Sequence, residues 1–162
     1  MDVIFAPWRM AYVRKCEKTE GCIFCKGSSR SEDLMLREGK AAFVVMNRYP
    51  YTTGHMMVIP FRHVGAIADL TKEERAEIFD LLDLSTDILR RAMNPDGFNI
   101  GINLGKAAGA GVGDHLHVHI VPRWNGDTNF MGVVGEVRVI PEDVVQTRAR
   151  LLPLFESTRR EV

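Results

Sequence analysis

Between Asp114 and Pro122 polar and apolar positions alternate strictly, with His115, His117 and His119 set against Leu116, Val118 and Ile120. Period two predicts a half-buried β-strand with the three imidazoles on one face and the aliphatics on the other. Neighbouring imidazoles then stand about 6–7 Å apart. Ala41 to Met46 and His55 to Pro60 are two further apolar runs, joined by the turn-forming segment Tyr49 to Gly54, and read as a hairpin. Thr71-Lys72-Glu73-Glu74 has the form of a capping box. Ile78, Leu81, Leu82, Ser85, Ile88, Leu89 and Ala92 follow at helical spacing, and Asn94-Pro95-Asp96-Gly97 supplies the stop. Phe98 to Asn103 predicts another strand. The glycine-rich stretch Gly105 to Gly113 then leads into the histidine segment. A weaker helix is predicted from about Glu142 to Leu152, ending before Pro153 because proline restricts the residue that precedes it. One long helix beside a meander of strands makes the class α+β with an antiparallel sheet.

Composition narrows the function classes. The 162 residues balance 21 basic against 21 acidic side chains, so the whole chain carries no basic footprint for nucleic acid or an anionic membrane. No apolar run approaches a membrane span, and the first ten residues lack the layout of a signal peptide, so a cytoplasmic protein is expected. The length suits one domain with a sizeable core. The cysteines, Cys16, Cys22 and Cys25, are odd in number, which argues against a disulfide framework. Cys22-Ile23-Phe24-Cys25 is open between a metal knuckle and a redox pair.

Folding alone has no need of three imidazoles in a row, since histidine is only an intermediate core residue. Incidental histidines on a strand form the plainest reading. Three ligands to one metal is a second, but residues four apart on a strand are separated by about 13 Å, too far to share an ion without strong bending. In the third, the histidines act individually, as nucleophile and phosphate contacts. The adjacent glycine loop supports this, because its amide groups can approach an anion closely. Together they suggest phosphoryl or nucleotidyl transfer.

His-Leu-His-Val-His-Ile-Val at 115–121 resembles the histidine triad family. Met46-Asn47-Arg48-Tyr49-Pro50, Gly54 to Pro60, Arg62-His63, Asn103-Leu104-Gly105 and Gly109-Ala110-Gly111 are similar to its supporting segments. The resemblance runs from about Cys22 to Phe130. It implies an antiparallel five-stranded sheet with one long helix after the second core strand. It further implies a single domain with an N-terminal zinc segment (about 1–33), a catalytic core (about 34–131) and a tail (about 132–162). Within the family, Pro122-Arg123-Trp124 and Gly126 to Met131 are most similar to bacterial diadenosine tetraphosphate phosphorylases.

The implied mechanism makes His117 the nucleophile that takes a nucleotidyl group from a dinucleoside polyphosphate. His119 and Asn103, with amides at Gly111 and Val112, contact the phosphate oxygens. Asn47 matches the ribose-binding position, and Trp124 is a candidate to close the site. Zinc-bearing members imply structural zinc held by Cys22, Cys25, His63 and His115, with Cys16 an ordinary thiol. His55 reads as structural. The implied partners are an adenine nucleotide, inorganic phosphate and a second copy of the chain, with no nucleic acid or membrane. Hydrolases of the family carry Gln where this chain has about Gly111, which weakens a simple hydrolase. Water as acceptor, a non-catalytic zinc-containing interaction module and a redox protein all stay open at this point.

Overall fold

The computed structural model describes residues 21–25, 33–127 and 140–158. Cys16 and the part of the phosphorylase-like segment at 128–131 lie outside them. Five strands form one sheet: β1 (Met35–Glu38), β2 (Ala42–Met46), β3 (Met56–Pro60), β4 (Gly97–Ile102) and β5 (Val118–Arg123). Their spatial order is β1-β2-β3-β5-β4, and every neighbouring pair is antiparallel. Among the described residues two α-helices accompany them, α1 (Lys72–Met93) and α2 (Val144–Ser157). The class is α+β, and the long helix follows β3, the second of the two core strands read from sequence. Among the described residues no helix is long and apolar enough to cross a membrane.

Strands β2 and β3 are buried along their whole length, because the sheet continues on both sides of them and α1 packs against them. Helix α1 begins as the sequence predicts. The Thr71 hydroxyl accepts from the Glu74 amide at 3.2 Å, and the Glu74 carboxylate accepts from the Thr71 amide at 2.8 Å. It ends on Asn94, which takes the left-handed conformation with φ 47° that asparagine tolerates. Ile78, Leu81, Leu82, Ile88 and Leu89 enter the core. Gly54, at φ 83°, sits so close to Leu89, Met93 and Pro122 that a Cβ there would meet all three. It lets the β2–β3 connection lie flat against the helix.

Glu77 ties α1 to the other end of the sheet. Its carboxylate is buried and accepts from the backbone amides of Lys40, Ala41 and Ala42 in the β1–β2 turn. Helix α2 packs against α1 and β1, with Leu151 and Phe155 fully buried. Arg148 donates to the Met35 carbonyl at 3.0 Å and Arg37 to the Phe155 carbonyl at 3.3 Å.

Three boundaries differ from the sequence reading. Helix α2 does not stop before Pro153 but runs through it to Ser157. Pro153 lies on the exposed side, where water can satisfy the carbonyls it leaves unpaired, while Leu151 and Phe155 anchor the turns on either side. The histidine strand does not begin at Asp114. Pairing with β3 starts at Val118, and upstream the Leu116 amide donates to the Val64 carbonyl instead, at 2.7 Å. Nor is that segment half-exposed, since every residue from His115 to Pro122 is buried. The strand expected at Phe98 to Asn103 is shifted by one residue and releases Asn103 into the loop. Strand β1 had not been separated from β2, because its burial is mixed and it is only four residues long.

Replacing Glu77 by Ala removes the acceptor of three amides, of which that of Ala42 is buried. Urea denaturation should show a loss of about 2–4 kcal/mol, with Glu77→Gln intermediate because one carbonyl acceptor remains.

Candidate functional site

The register of the sheet assembles the site. His119 lies opposite Met57 on one side and Gly101 on the other. Directly opposed residues share a face, so His119, Gly101 and Met57 look the same way. Continuing the β4–β5 register by one pair sets Asn103 opposite His117. Continuing the β2–β3–β5 register sets Asn47, His55 and Val121 in one row. Val118, Ile120 and Pro122 occupy the opposite face, and Pro122 is within reach of the α1 side through Gly54. A Cβ at Gly101 would meet nothing within 4 Å. The edge of the sheet beside His119 is therefore open to a ligand.

His115 and His117 are each oriented by a partner that can play only one hydrogen-bonding role, and His119 by a chain that ends in one. The Pro60 carbonyl can only accept, so His115 Nε2, 2.8 Å away, carries the proton, and Nδ1 presents its lone pair to Cys22. The His115 carbonyl can only accept, so His117 Nδ1, 2.8 Å away, carries the proton, and Nε2 is the bare nitrogen of the neutral ring. The Tyr51 amide can only donate, at 3.0 Å to His55 Nδ1, so the proton of neutral His55 is on Nε2. That nitrogen donates to His119 Nδ1 at 3.0 Å, which leaves His119 with its proton on Nε2. Burial, followed by the neighbouring His117, lowers the His119 pKa to about 4, so this ring is neutral near pH 7. Among the described residues nothing accepts from its buried Nε2. A bare nitrogen on His117 beside an unpaired N–H on His119, ring centroids 4.9 Å apart, is suited to attack an electrophile while hydrogen-bonding an oxygen on it.

His55 is thus drawn into the site, although its sequence context gave it only a structural place. The strand run His55 to Pro60 has no signal for this. Only the pairing of β3 with β5 brings the two rings together. Asn47 stands beside His55, its amide nitrogen 3.4 Å from the ring, while its side-chain oxygen accepts from the Tyr49 amide at 3.0 Å. Gly111 is exposed, and Val112 is half-buried against the core. Gly105 and Gly109 turn the loop between β4 and β5 with φ near 79° and 87°. Trp124 does not join the triad in this chain. It follows the far end of β5, and its indole donates to the Met93 carbonyl at the end of α1, at 3.3 Å.

Cys22, Cys25, His63 and His115 converge, with one donor atom from each within 4.8 Å of the others, in an arrangement that could hold a metal ion. Cys22 Sγ is 3.3 Å from His115 Nδ1, and Cys25 Sγ is 3.4 Å from His63 Nδ1. Burial, followed by the adjacent Cys22, raises the Cys25 pKa. Burial lowers the His115 pKa and favours the neutral, ligating ring. His63 follows Arg62, whose guanidinium forms a two-pronged pair with Glu74 at 2.8 and 2.9 Å and also holds the Asp69 carbonyl. That pair locks the connection after β3 to the start of α1.

Because the folded state keeps His119 neutral, the unfolded chain binds the extra proton as pH falls through 6.5. Stability should therefore drop between pH 6.5 and 4, by up to about 3 kcal/mol from this ring. Urea midpoints measured across that range in the presence of a chelator should show a shallower slope for His119→Gln.

Comparison with known proteins agrees with the geometry. Residues 29–126 match the HIT domain. Over 124 residues the chain is 44% identical to a Mycobacterium tuberculosis protein named AP-4-A phosphorylase, covering 76% of this chain and 63% of that protein. The chain thus spans less than two thirds of that relative's length. It is 31% identical to a bis(5'-adenosyl)-triphosphatase of Dictyostelium discoideum, covering 74% of this chain and 84% of that one. The crystal structure of a zinc-bound histidine triad family protein from Mycobacterium smegmatis superimposes with a TM-score of 0.65, at 30% identity over 85% of this chain and 97% of that one. With its domain matched over most of the chain and its three histidines set as the sheet sets them, this protein belongs to the HIT family.

Proposed function

We propose that this protein is a nucleotidyl transferase acting on dinucleoside polyphosphates, with diadenosine tetraphosphate and inorganic phosphate as the favoured pair. The observation that carries this reading is the pairing of a bare His117 Nε2 with an unpartnered His119 Nε2–H. His117 Nε2 attacks the α-phosphorus, and the bond from that phosphorus to the bridging oxygen breaks. ATP leaves, and AMP stays bonded to the ring. A phosphate oxygen then attacks the same phosphorus, ADP departs and His117 regains its lone pair. The covalent intermediate replaces one difficult displacement by two easier ones. His119 Nε2–H hydrogen-bonds a phosphoryl oxygen throughout, and its neutral state spares it from holding the product too tightly. The relative named AP-4-A phosphorylase supports phosphate as acceptor, and Gly111 leaves the loop without the side chain that hydrolases of the family place there.

The remaining assignments belong to the same reading. Asn103 and the amides at Gly111 and Val112 hold phosphate oxygens, and Asn47 holds the ribose. A homodimer is consistent with the exposed β4 edge, where Ile100 and Leu104 are about half exposed.

The four converging donors fit zinc. Tetrahedral zinc with sulfur at about 2.3 Å and nitrogen at about 2.0 Å needs donor separations of roughly 3.3–3.8 Å. Three sulfur–nitrogen separations, 3.3, 3.4 and 3.8 Å, fall in that range, and all four donors lie within 4.8 Å of one another. Bound there, zinc supplies folding free energy and no step of the reaction.

Incubation with diadenosine tetraphosphate, with and without phosphate, tests the proposal. ADP and ATP formed only with phosphate support it, AMP formed without phosphate shifts the acceptor to water, and no turnover by a folded, zinc-loaded sample refutes it. His117→Ala should lose at least about 10³-fold in kcat, the scale for removing a nucleophile, with zinc content unchanged. Cys22→Ser should lower zinc content by elemental analysis and lower the Tm.

A further inference from the structure

Phe24 sits between the two cysteines, and its ring is buried against the triad. It packs on His117 with centroids 5.2 Å apart at 51°, and edge-on to His115 at 5.8 Å and 86°. Only 8% of the residue is exposed. The turn that carries it is shaped by the cysteines. The Cys25 amide donates to the Cys22 carbonyl at 3.2 Å, and the Phe24 amide donates to Cys22 Sγ at 3.4 Å. A metal held by both sulfurs holds this turn, and the turn holds the ring. Among the described residues His117 also meets the His119 ring and donates from Nδ1 to the His115 carbonyl. The backbone that orients the nucleophile is therefore that of a candidate metal ligand, and the side chain that wedges it comes from the loop of two more.

We propose that Phe24 is a positioning residue for His117, and that the metal loop uses it to keep the nucleophile in one orientation and one tautomer. Occupancy of the metal centre then sets the fraction of molecules competent for nucleotidyl transfer, an inference that rests on His117 being the nucleophile. Without the wedge, the ring can turn about its χ torsions away from the His115 carbonyl. The proton then distributes over both nitrogens, and the lone pair no longer stays on Nε2. Misplacement of a reacting atom by about 1 Å costs on the order of a hundredfold in rate. Binding of the nucleotide depends on other groups and should change little.

The test uses the full chain labelled with ¹⁵N-histidine, with no nucleotide present. Zinc-loaded wild type should show one His117 pattern, protonated at Nδ1. Phe24→Ala with full zinc content should show averaged nitrogen shifts, as should wild type stripped by a chelator, while Phe24→Leu, which keeps most of the wedge, should fall between. With diadenosine tetraphosphate and phosphate, Phe24→Ala should lose about 10–100-fold in kcat, with KM within about threefold. An unchanged His117 pattern in both variants overturns the inference. So does a change confined to KM, which would make Phe24 a substrate contact, or a loss of zinc in both variants, which would make it part of the metal scaffold alone. Because the spectra need no substrate, a wild type inactive on dinucleoside polyphosphates refutes the proposed reaction while leaving the positioning role to be decided by the spectra.

Discussion

A carbonyl oxygen can accept a hydrogen bond but never donate one, and the site depends on that asymmetry. Two carbonyls, of Pro60 and His115, and one amide, of Tyr51, fix the protons of the rings around them. His115 is left with a lone pair toward the cysteines and His117 with a lone pair toward the open edge. His119, set through His55, is left with a donor. Three chemically identical side chains thus acquire three different roles. None of the fixing groups is itself reactive, and all belong to the backbone, so the sheet must be in register before any ring has its role.

The same constraint explains why the histidine segment leaves the β-ladder at its start. Within regular pairing the His115 carbonyl would face a neighbouring strand. Here β3 meets β5 only from Val118 onward, and the Leu116 amide bonds to Val64 instead. The freed His115 carbonyl reaches the His117 ring. Departure from ideal strand geometry is therefore what orients the His117 ring. Burial completes the arrangement: it holds His119 neutral, so that a ring standing next to another imidazole remains a single-proton donor.

The candidate metal donors and the proposed nucleophile are not separate modules. His115 contributes its ring to the Cys22, Cys25, His63 cluster and its carbonyl to His117. Phe24 lies between Cys22 and Cys25 in the chain and touches both rings. At the opposite end of the sheet Glu77 performs a comparable fastening, gathering the β1–β2 turn onto α1. Arg62 and Glu74 do so for the segment bearing His63. The helix is thus pinned at two points to the strands that frame the site, which suits a centre whose rings must keep fixed orientations.

Local patterns carried much of this. Period-two alternation marked the histidine segment, the capping box marked the start of α1, and Asn94 marked its end, because each depends on interactions within a few residues. The four residues expected as metal donors were named through family resemblance, and the described residues bring all four together. Pro153 misled, since its local preference is outweighed by Leu151 and Phe155 docking on the core. His55 was hidden, because its partner lies 64 positions away. By itself, then, the sequence determined which side chains are available and which stretches can be helix or strand, since those follow from short-range sterics and hydrogen bonding. Only the tertiary structure decided which nitrogen of each imidazole holds its proton, because that is set by donors and acceptors that strand pairing brings in from distant parts of the chain.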